Sequence, residues 1–228
     1  MSPPEDTPLT VRVDPALVEQ IRARAAVIRD RVSGCTDRDV RIVCVTKGHP
    51  VEVAAAAFAA GFDELGENYA QELQAKAALL DGTEVHPSWH FIGRLQSNKV
   101  RALAPTVALW QTVDRVSIAT EIAKRAPGAR VLVQLDLAGI EGRGGVPPSD
   151  APALVSSCVE RGLVVEGLMG VGVPGPPELS RPGFRLLNSL AEELGLRERS
   201  MGMSGDLEVA VAEGATMIRV GSALVGPR

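Results

Sequence analysis

The chain has 228 residues, 45% of them hydrophobic, 23% charged and only 3% aromatic, with a formal net charge of −4. That length and balance describe one ordinary globular domain with room for a large core. The acidic balance, with no basic run, argues against a nucleic-acid surface, and the longest apolar stretch, Val53 to Phe62, is too short to span a bilayer.

Residues 1–12 read as a disordered lead, with prolines and mixed charge but little to bury, and residues 13–228 as one domain. Asp14 is an N-cap with Pro15 at the first helical position, opening a helix to about Val32 on which Leu17, Ile21, Ala25 and Ile28 recur at helical spacing. The run Arg41-Ile-Val-Cys-Val-Thr-Lys-Gly-His-Pro50 is short, apolar and β-branched. It reads as a strand buried on both faces, broken by Gly48 and Pro50, with Lys47 at its carboxyl end. An alanine-rich helix follows from about Val51 to Ala60, then a strand near residues 63–68 and a helix through Leu80. Further strands are expected at 88–93, 107–113, 130–136, 163–169, 199–203 and 216–220. Helices between them are expected at 96–103, 116–125, 151–160, 183–194 and 207–212.

Eight strands alternating with helices is the count that closes a (β/α)₈ TIM barrel, an α/β fold of one domain. Too few residues follow Gly221 for a full eighth helix. The N-terminal helix is surplus and could complete the outer ring in its place. Cys35, Cys44 and Cys158 are far apart and in no CxxC pair, which fits reduced thiols. The start, Met-Ser-Pro-Pro-Glu-Asp, has neither the basic nor the apolar region of an export signal, so a cytoplasmic location is expected.

In such a barrel chemistry sits at the carboxyl ends of the strands, which here carry Lys47, Glu67 and Asn68, Gly93 and Arg94, Asp114 and Arg115, Asp136, Met169, Ser204, and Arg219 with Gly221. Burial in an apolar wall lowers a lysine's pKa, as condensation with an aldehyde at neutral pH requires. Lys47 is thus a candidate Schiff-base lysine; the plainer alternative is a strand-end lysine whose stem runs to water. Residues 200–206 (Ser-Met-Gly-Met-Ser-Gly-Asp) and 219–223 (Arg-Val-Gly-Ser-Ala) offer glycine-freed backbone and a hydroxyl after strands seven and eight, the usual phosphate-binding place in this fold. A lysine and a phosphate cradle on one mouth suggest a phosphorylated aldehyde, of which pyridoxal 5′-phosphate (PLP) is the obvious one.

Val-Thr-Lys-Gly-His-Pro, Leu-Gly-Glu-Asn-Tyr-Ala-Gln-Glu (65–72), Trp-His-Phe-Ile-Gly-Arg-Leu-Gln-Ser-Asn-Lys (89–99), Ser-Met-Gly-Met-Ser-Gly-Asp and Ile-Arg-Val-Gly-Ser together resemble the YggS/PROSC family of pyridoxal-phosphate homeostasis proteins, which is related to the N-terminal barrel of alanine racemase. The resemblance runs from about Arg41 to Gly226. It implies that Lys47 holds PLP as an internal aldimine, that Ser204 with the backbone of Gly221 and Ser222 binds its phosphate, and that Arg219 lies against the pyridine nitrogen. It also implies that Asn68 and Met169 line the pocket near the ring. An arginine can donate to that nitrogen but has no proton to give it, so carbanion chemistry is weakly supported. The implied role is intracellular buffering and delivery of PLP without turnover, by a monomer or weak homodimer, with PLP-dependent apoenzymes as recipients. The sequence departs from the family pattern at Gly48-His49, where Thr-Lys is common, and in the loop at residues 139–145.

Two other readings are open. A PLP-dependent racemase of the same barrel class needs a second base on the opposite face, and the only tyrosine is Tyr69. A cofactor-free Schiff-base aldolase would call for a carboxylate beside Lys47, which Gly48-His-Pro-Val does not provide. His86 and His90 are four apart with Pro87 between them, so no metal pair is expected, and His90 reads as a hydrogen-bonded barrel residue. Trp89 and Trp110 read as core aromatics. Glu67, Asp114 and Asp136 read as acceptors for backbone N–H groups, and residues 170–182 as either a lid or a stiff surface loop.

Overall fold

In the computed structural model, which describes residues 11–140 and 142–228, eight parallel strands close into a barrel in sequence order. They are β1 (Arg41–Val45), β2 (Glu64–Glu67), β3 (Ser88–Phe91), β4 (Val107–Val113), β5 (Arg130–Leu135), β6 (Val164–Gly170), β7 (Glu198–Ser200) and β8 (Met217–Val220). Closure is made by β1, whose Cys44 is paired with Leu65 of β2 on one side and Val220 of β8 on the other. The lead expected over residues 1–12 falls, from 1 to 10, outside the described residues.

The outer layer consists of α1 (Pro15–Ser33), α2 (Val51–Ala59), α3 (Ala70–Leu80), α4 (Ser97–Leu103), α5 (Val116–Arg125), α6 (Ala151–Glu160), α7 (Arg181–Glu193), α8 (Leu207–Ala212) and the single turn α9 (Ser222–Val225). Asp14 caps α1 by accepting a hydrogen bond from the N–H of Ala16, and Pro15 opens the helix. The face formed by Val18, Ile21, Ala25, Ile28 and Val32 is buried. It packs α1 against α2, α8 and α9, so the N-terminal helix occupies the place in the ring that a full eighth helix would take. Ala54 to Ala57 are all fully buried, and the lack of bulk on that helix lets α2 lie close to its neighbours.

Strand residues alternate between the helix-facing core and the barrel interior. The interior holds an apolar layer of Val43, Leu109, Leu132, Met169 and Met217. Toward the amino ends of the strands the interior turns ionic. Arg41 bridges Glu64 at 2.6 Å and Glu198 at 2.9 Å, and Arg130 pairs with Glu166. With that end filled by ion pairs and the middle by apolar side chains, the carboxyl end is where the barrel opens.

β7 is shorter than the residue pattern suggests, ending at Ser200 and not at 203. Gly202 adopts φ +94°, and a Cβ there would lie 2.6 Å from that of Ala210, so the backbone turns out of the sheet and against α8. Residues 170–182 include a 3₁₀ turn at Pro177–Ser180. Ser180 is buried, and its hydroxyl accepts the N–H of Val173. Among the described residues no helix is long and apolar enough to cross a membrane.

Candidate functional site

The carboxyl ends of β1, β2, β6 and β8, with the turn after β7, enclose a cavity of about 470 Å³. Lys47, Asn68, Met169, Ser204, Arg219, Gly221 and Ser222, drawn from five stretches of sequence, all line it. A larger groove of about 660 Å³ lies at the opposite end of the barrel beside Arg41 and Glu64, where the charged groups pair with one another.

Lys47 sits two residues beyond β1 in a tight turn. The Thr46 N–H donates to Gly66 O at 3.1 Å, the His49 N–H to Thr46 O at 3.1 Å, and the Gly48 N–H to Glu72 Oε2 at 2.7 Å. Gly48 has φ +72°, so the turn takes a backbone conformation that L side chains rarely adopt. Behind the turn, Lys76 Nζ donates to Glu67 Oε1 at 2.5 Å and to Thr46 O at 2.7 Å, and Thr46 Oγ1 donates to the same carboxylate oxygen at 2.6 Å. This buried brace fixes the backbone that carries Lys47. Partial burial pushes the Lys47 ammonium below its ordinary range, helped by the positive charges of Arg228 and Arg219 and opposed by Glu67 and Glu72.

Ser204 and Gly205 face Gly221 and Ser222 across one wall. In α9 the N–H groups of Leu224 and Val225 both donate to Gly221 O, which leaves those of Ser222 and Ala223 ahead of the first helical hydrogen bond. Asp206 Oδ1 ties the other loop by accepting the Met203 N–H at 2.7 Å. From α1, Arg31 donates to Ser204 O at 3.2 Å and Arg24 to Leu224 O at 3.1 Å, so the first helix holds both loops from behind.

Arg219 lies deep in the cavity, 4% exposed, with no carboxylate within ion-pair distance among the described residues. Its Nη1 donates to Ser200 Oγ at 2.7 Å and its Nη2 to Gly170 O at 2.9 Å. Burial lowers its pKa to about 10, so it remains a cation at neutral pH. His49, Arg143 and Arg228 complete the ionisable lining, which includes no aspartate or glutamate. The charged side chains of the wall are therefore all basic, with one lysine as the primary amine. Asn68 Oδ1 is buried there without a hydrogen-bond partner, an acceptor that a polar ligand would satisfy.

Several sequence expectations need correction. Asp114 and Asp136 do not reach the cavity but line an adjoining hollow with Arg94, Arg115 and the glycine-rich loop. Asp136 does accept the N–H groups of Ala138 and Gly139, whereas Asp114 takes an Arg115 side chain. Glu67 accepts no backbone N–H in this arrangement; strand alternation turns it away from the cavity into the Lys76 brace. Gly93 serves packing and not the site, since a Cβ there would fall 1.9 Å from Asn68 O. His90 is, as its sequence context suggests, a hydrogen-bonded interior residue, and Trp89 and Trp110 are buried in the core.

Val45, Ile92, Met203, Arg143 and Arg228 also line the cavity and were not foreseen. Val45 and Ile92 follow the inward parity of their strands and could have been found that way. Arg143 swings in from the irregular loop, where its Nη1 donates to Gly172 O at 2.9 Å, and Arg228 returns over Gly48. No periodicity signals either placement.

A family model described as the alanine racemase N-terminal domain matches residues 18–228. The pyridoxal phosphate homeostasis protein of Pseudomonas aeruginosa is 36% identical over 222 residues, covering 93% of this chain and 96% of that one. The solved structure of PipY from Synechococcus elongatus with PLP bound is 32% identical, superposes with a TM-score of 0.81, and is matched over 90% of this chain and 100% of its own. Alanine racemase from Clostridium difficile, at 15% identity and a TM-score of 0.70 over 90% of this chain and 59% of its own, shares the fold.

Proposed function

This chain belongs to the pyridoxal phosphate homeostasis protein family, built on the alanine racemase N-terminal domain, and from that premise we propose that it binds PLP through Lys47 and buffers or delivers it to PLP-dependent apoenzymes in the cytoplasm. The observation that carries this reading is the cavity wall itself: a single lysine with a lowered pKa, beside two hydroxyl- and glycine-bearing loops, in a lining that has no aspartate or glutamate. A dianionic phosphate is favoured by such a wall, and an aldehyde by such an amine.

The group supplies, when bound, an aldehyde carbon that condenses with amines and an electron-withdrawing ring. Lys47 offers the amine, and its depressed pKa increases the neutral fraction able to attack. Ser204, Gly221 and Ser222 hold the phosphate end. Arg219, always charged at neutral pH, donates toward the ring nitrogen without yielding a proton, which keeps the ring a weak electron sink and suits storage better than turnover. Asn68 and Met169 border the ring. The protein acts as a monomer or weak homodimer.

The test is the visible spectrum of the purified chain with PLP added, followed by borohydride reduction and peptide mapping. An absorbance band that reduction fixes on the Lys47 peptide is expected, and Lys47→Ala should lose it while keeping the wild-type circular dichroism. A colourless wild-type protein would sink the reading. Delivery is checked by mixing the loaded protein with an apoenzyme and following recovery of that enzyme's activity against an equal amount of free PLP.

A further inference from the structure

A second set of polar groups lies beneath the cavity, in the barrel interior, and the mechanism above does not use it. Arg219 Nη1 donates to Ser200 Oγ at 2.7 Å, Ser200 Oγ donates to Gln111 Oε1 at 2.6 Å, and Gln111 Nε2 contacts His90 Nδ1 at 2.9 Å. Gln111 Nε2 also lies 3.2 Å from Met217 Sδ. Ser200, Gln111 and His90 are each no more than 1% exposed, so water does not compete for these bonds.

The direction of every bond follows from one residue. A guanidinium has no acceptor, so Ser200 Oγ must accept from Arg219 and spend its own proton on Gln111. Gln111 then receives at its oxygen and must give from its nitrogen. His90 Nδ1 must accept, which places the imidazole proton on Nε2, the atom 3.8 Å from Glu64 Oε1 at the ionic end of the barrel. Burial, with Arg41 and Arg130 nearby, keeps that imidazole neutral by lowering its pKa to about 3. The chain is therefore one-way, running from the cavity to the amino end of the barrel without an acid that would neutralise Arg219.

We propose that Ser200, Gln111 and His90 are positioning residues that lock the Arg219 guanidinium in a single pose and so set the electronic state and retention of the ring it faces. This rests on the reading that PLP occupies the cavity with its ring nitrogen toward Arg219. Two guanidinium bonds, to Ser200 Oγ and Gly170 O, fix the plane of the fork, and its remaining N–H groups are left for the cavity. Without Ser200 only the carbonyl contact would hold it, and the fork could rotate about that point.

The test uses the full-length chain loaded with PLP. Ser200→Ala removes the link, Ser200→Thr keeps the hydroxyl, and Gln111→Met removes the next link at similar size. The readouts are the pH titration of the visible band and the rate of PLP release, with thermal unfolding as the check on fold. Losing one buried hydrogen bond should speed release several-fold, up to about tenfold, and move the titration midpoint. Ser200→Thr should restore both to wild type, which a purely structural role for the position would not require. Should Ser200→Ala fail to fold, Gln111→Met is expected to show the same changes to a smaller degree. Folded variants whose titration and release match wild type would overturn the proposal. A wild-type chain that shows no band would instead remove the cofactor reading on which it rests.

Discussion

Lys47 is made useful by side chains that do not line its cavity. Its backbone is held by the Lys76–Glu67–Thr46 brace, whose two charged side chains are 5% and 0% exposed. Breaking a buried pair by removing one partner leaves the other charged and unpaired, at a cost of roughly 3–5 kcal/mol. Lys76→Met should therefore lower the unfolding free energy in denaturant by about that much, and adding Glu67→Leu should recover most of it. Burial holds the Glu67 carboxyl above the usual range despite Lys76, so the site tolerates neutralising it better than stranding it. The lowered Lys47 pKa gives a second expectation. The neutral amine is the attacking form, so PLP capture by the apo-protein should quicken as pH rises and level off below the ordinary lysine value of 10.5. A capture rate that climbs through that value, followed by stopped-flow absorbance, would contradict the assignment. Lys47 itself was legible as a strand-end lysine cut off by Gly48 and Pro50. The brace was not, because Lys76 lies on α3 and meets Glu67 only when that helix packs behind β2.

At the scale of elements, α1 does more than complete the outer ring. Arg31 bonds both Glu208 and Ser204 O, and Arg24 bonds Leu224 O, so one helix steadies both loops expected to hold the phosphate. The Arg31–Glu208 pair is one-third to two-fifths exposed, and such pairs contribute at most about 1 kcal/mol. Arg31→Ala should thus leave the melting temperature nearly unchanged while weakening PLP affinity several-fold, as measured by fluorescence titration. The helix was legible from Asp14-Pro15 and its apolar spacing, and its place in the ring from the short segment after β8. Its grip on the loops was not, since contacts between the first and last elements leave no local pattern.

For the whole molecule, the barrel separates two chemistries along its axis: ion pairs at the amino end and the basic cavity at the carboxyl end. His90 stands between them and is kept neutral. Its folded pKa of about 3 lies below the ordinary 6.5, so in acid the unfolded state takes up a proton that the folded state refuses. That contribution to stability is complete above about 6.5 and is lost progressively as pH falls toward 3. His90→Gln should flatten this limb of the stability–pH curve, measured by denaturant unfolding at several pH values. An unchanged slope would mean that the ion pairs at the amino end dominate acid sensitivity.

The order of eight strands and their helices, the carboxyl-end residues Lys47, Asn68, Met169, Ser204, Arg219, Gly221 and Ser222, and the family were all determined by the sequence alone. The strand and helix order rests on short-range signals, β-branched runs, helical spacing, and glycine or proline breaks at strand ends, whereas the family and the pocket roles rest on the motif blocks that carry the resemblance. Closure decided the rest. It turned Glu67 away from the cavity into the Lys76 brace, excluded Asp114 and Asp136, brought Arg143 and Arg228 to the wall, and linked Arg219 to His90 through the barrel interior. These are contacts between residues tens of positions apart. Strand parity and loop path bring them together, and neither is fixed until the sheet has closed on itself.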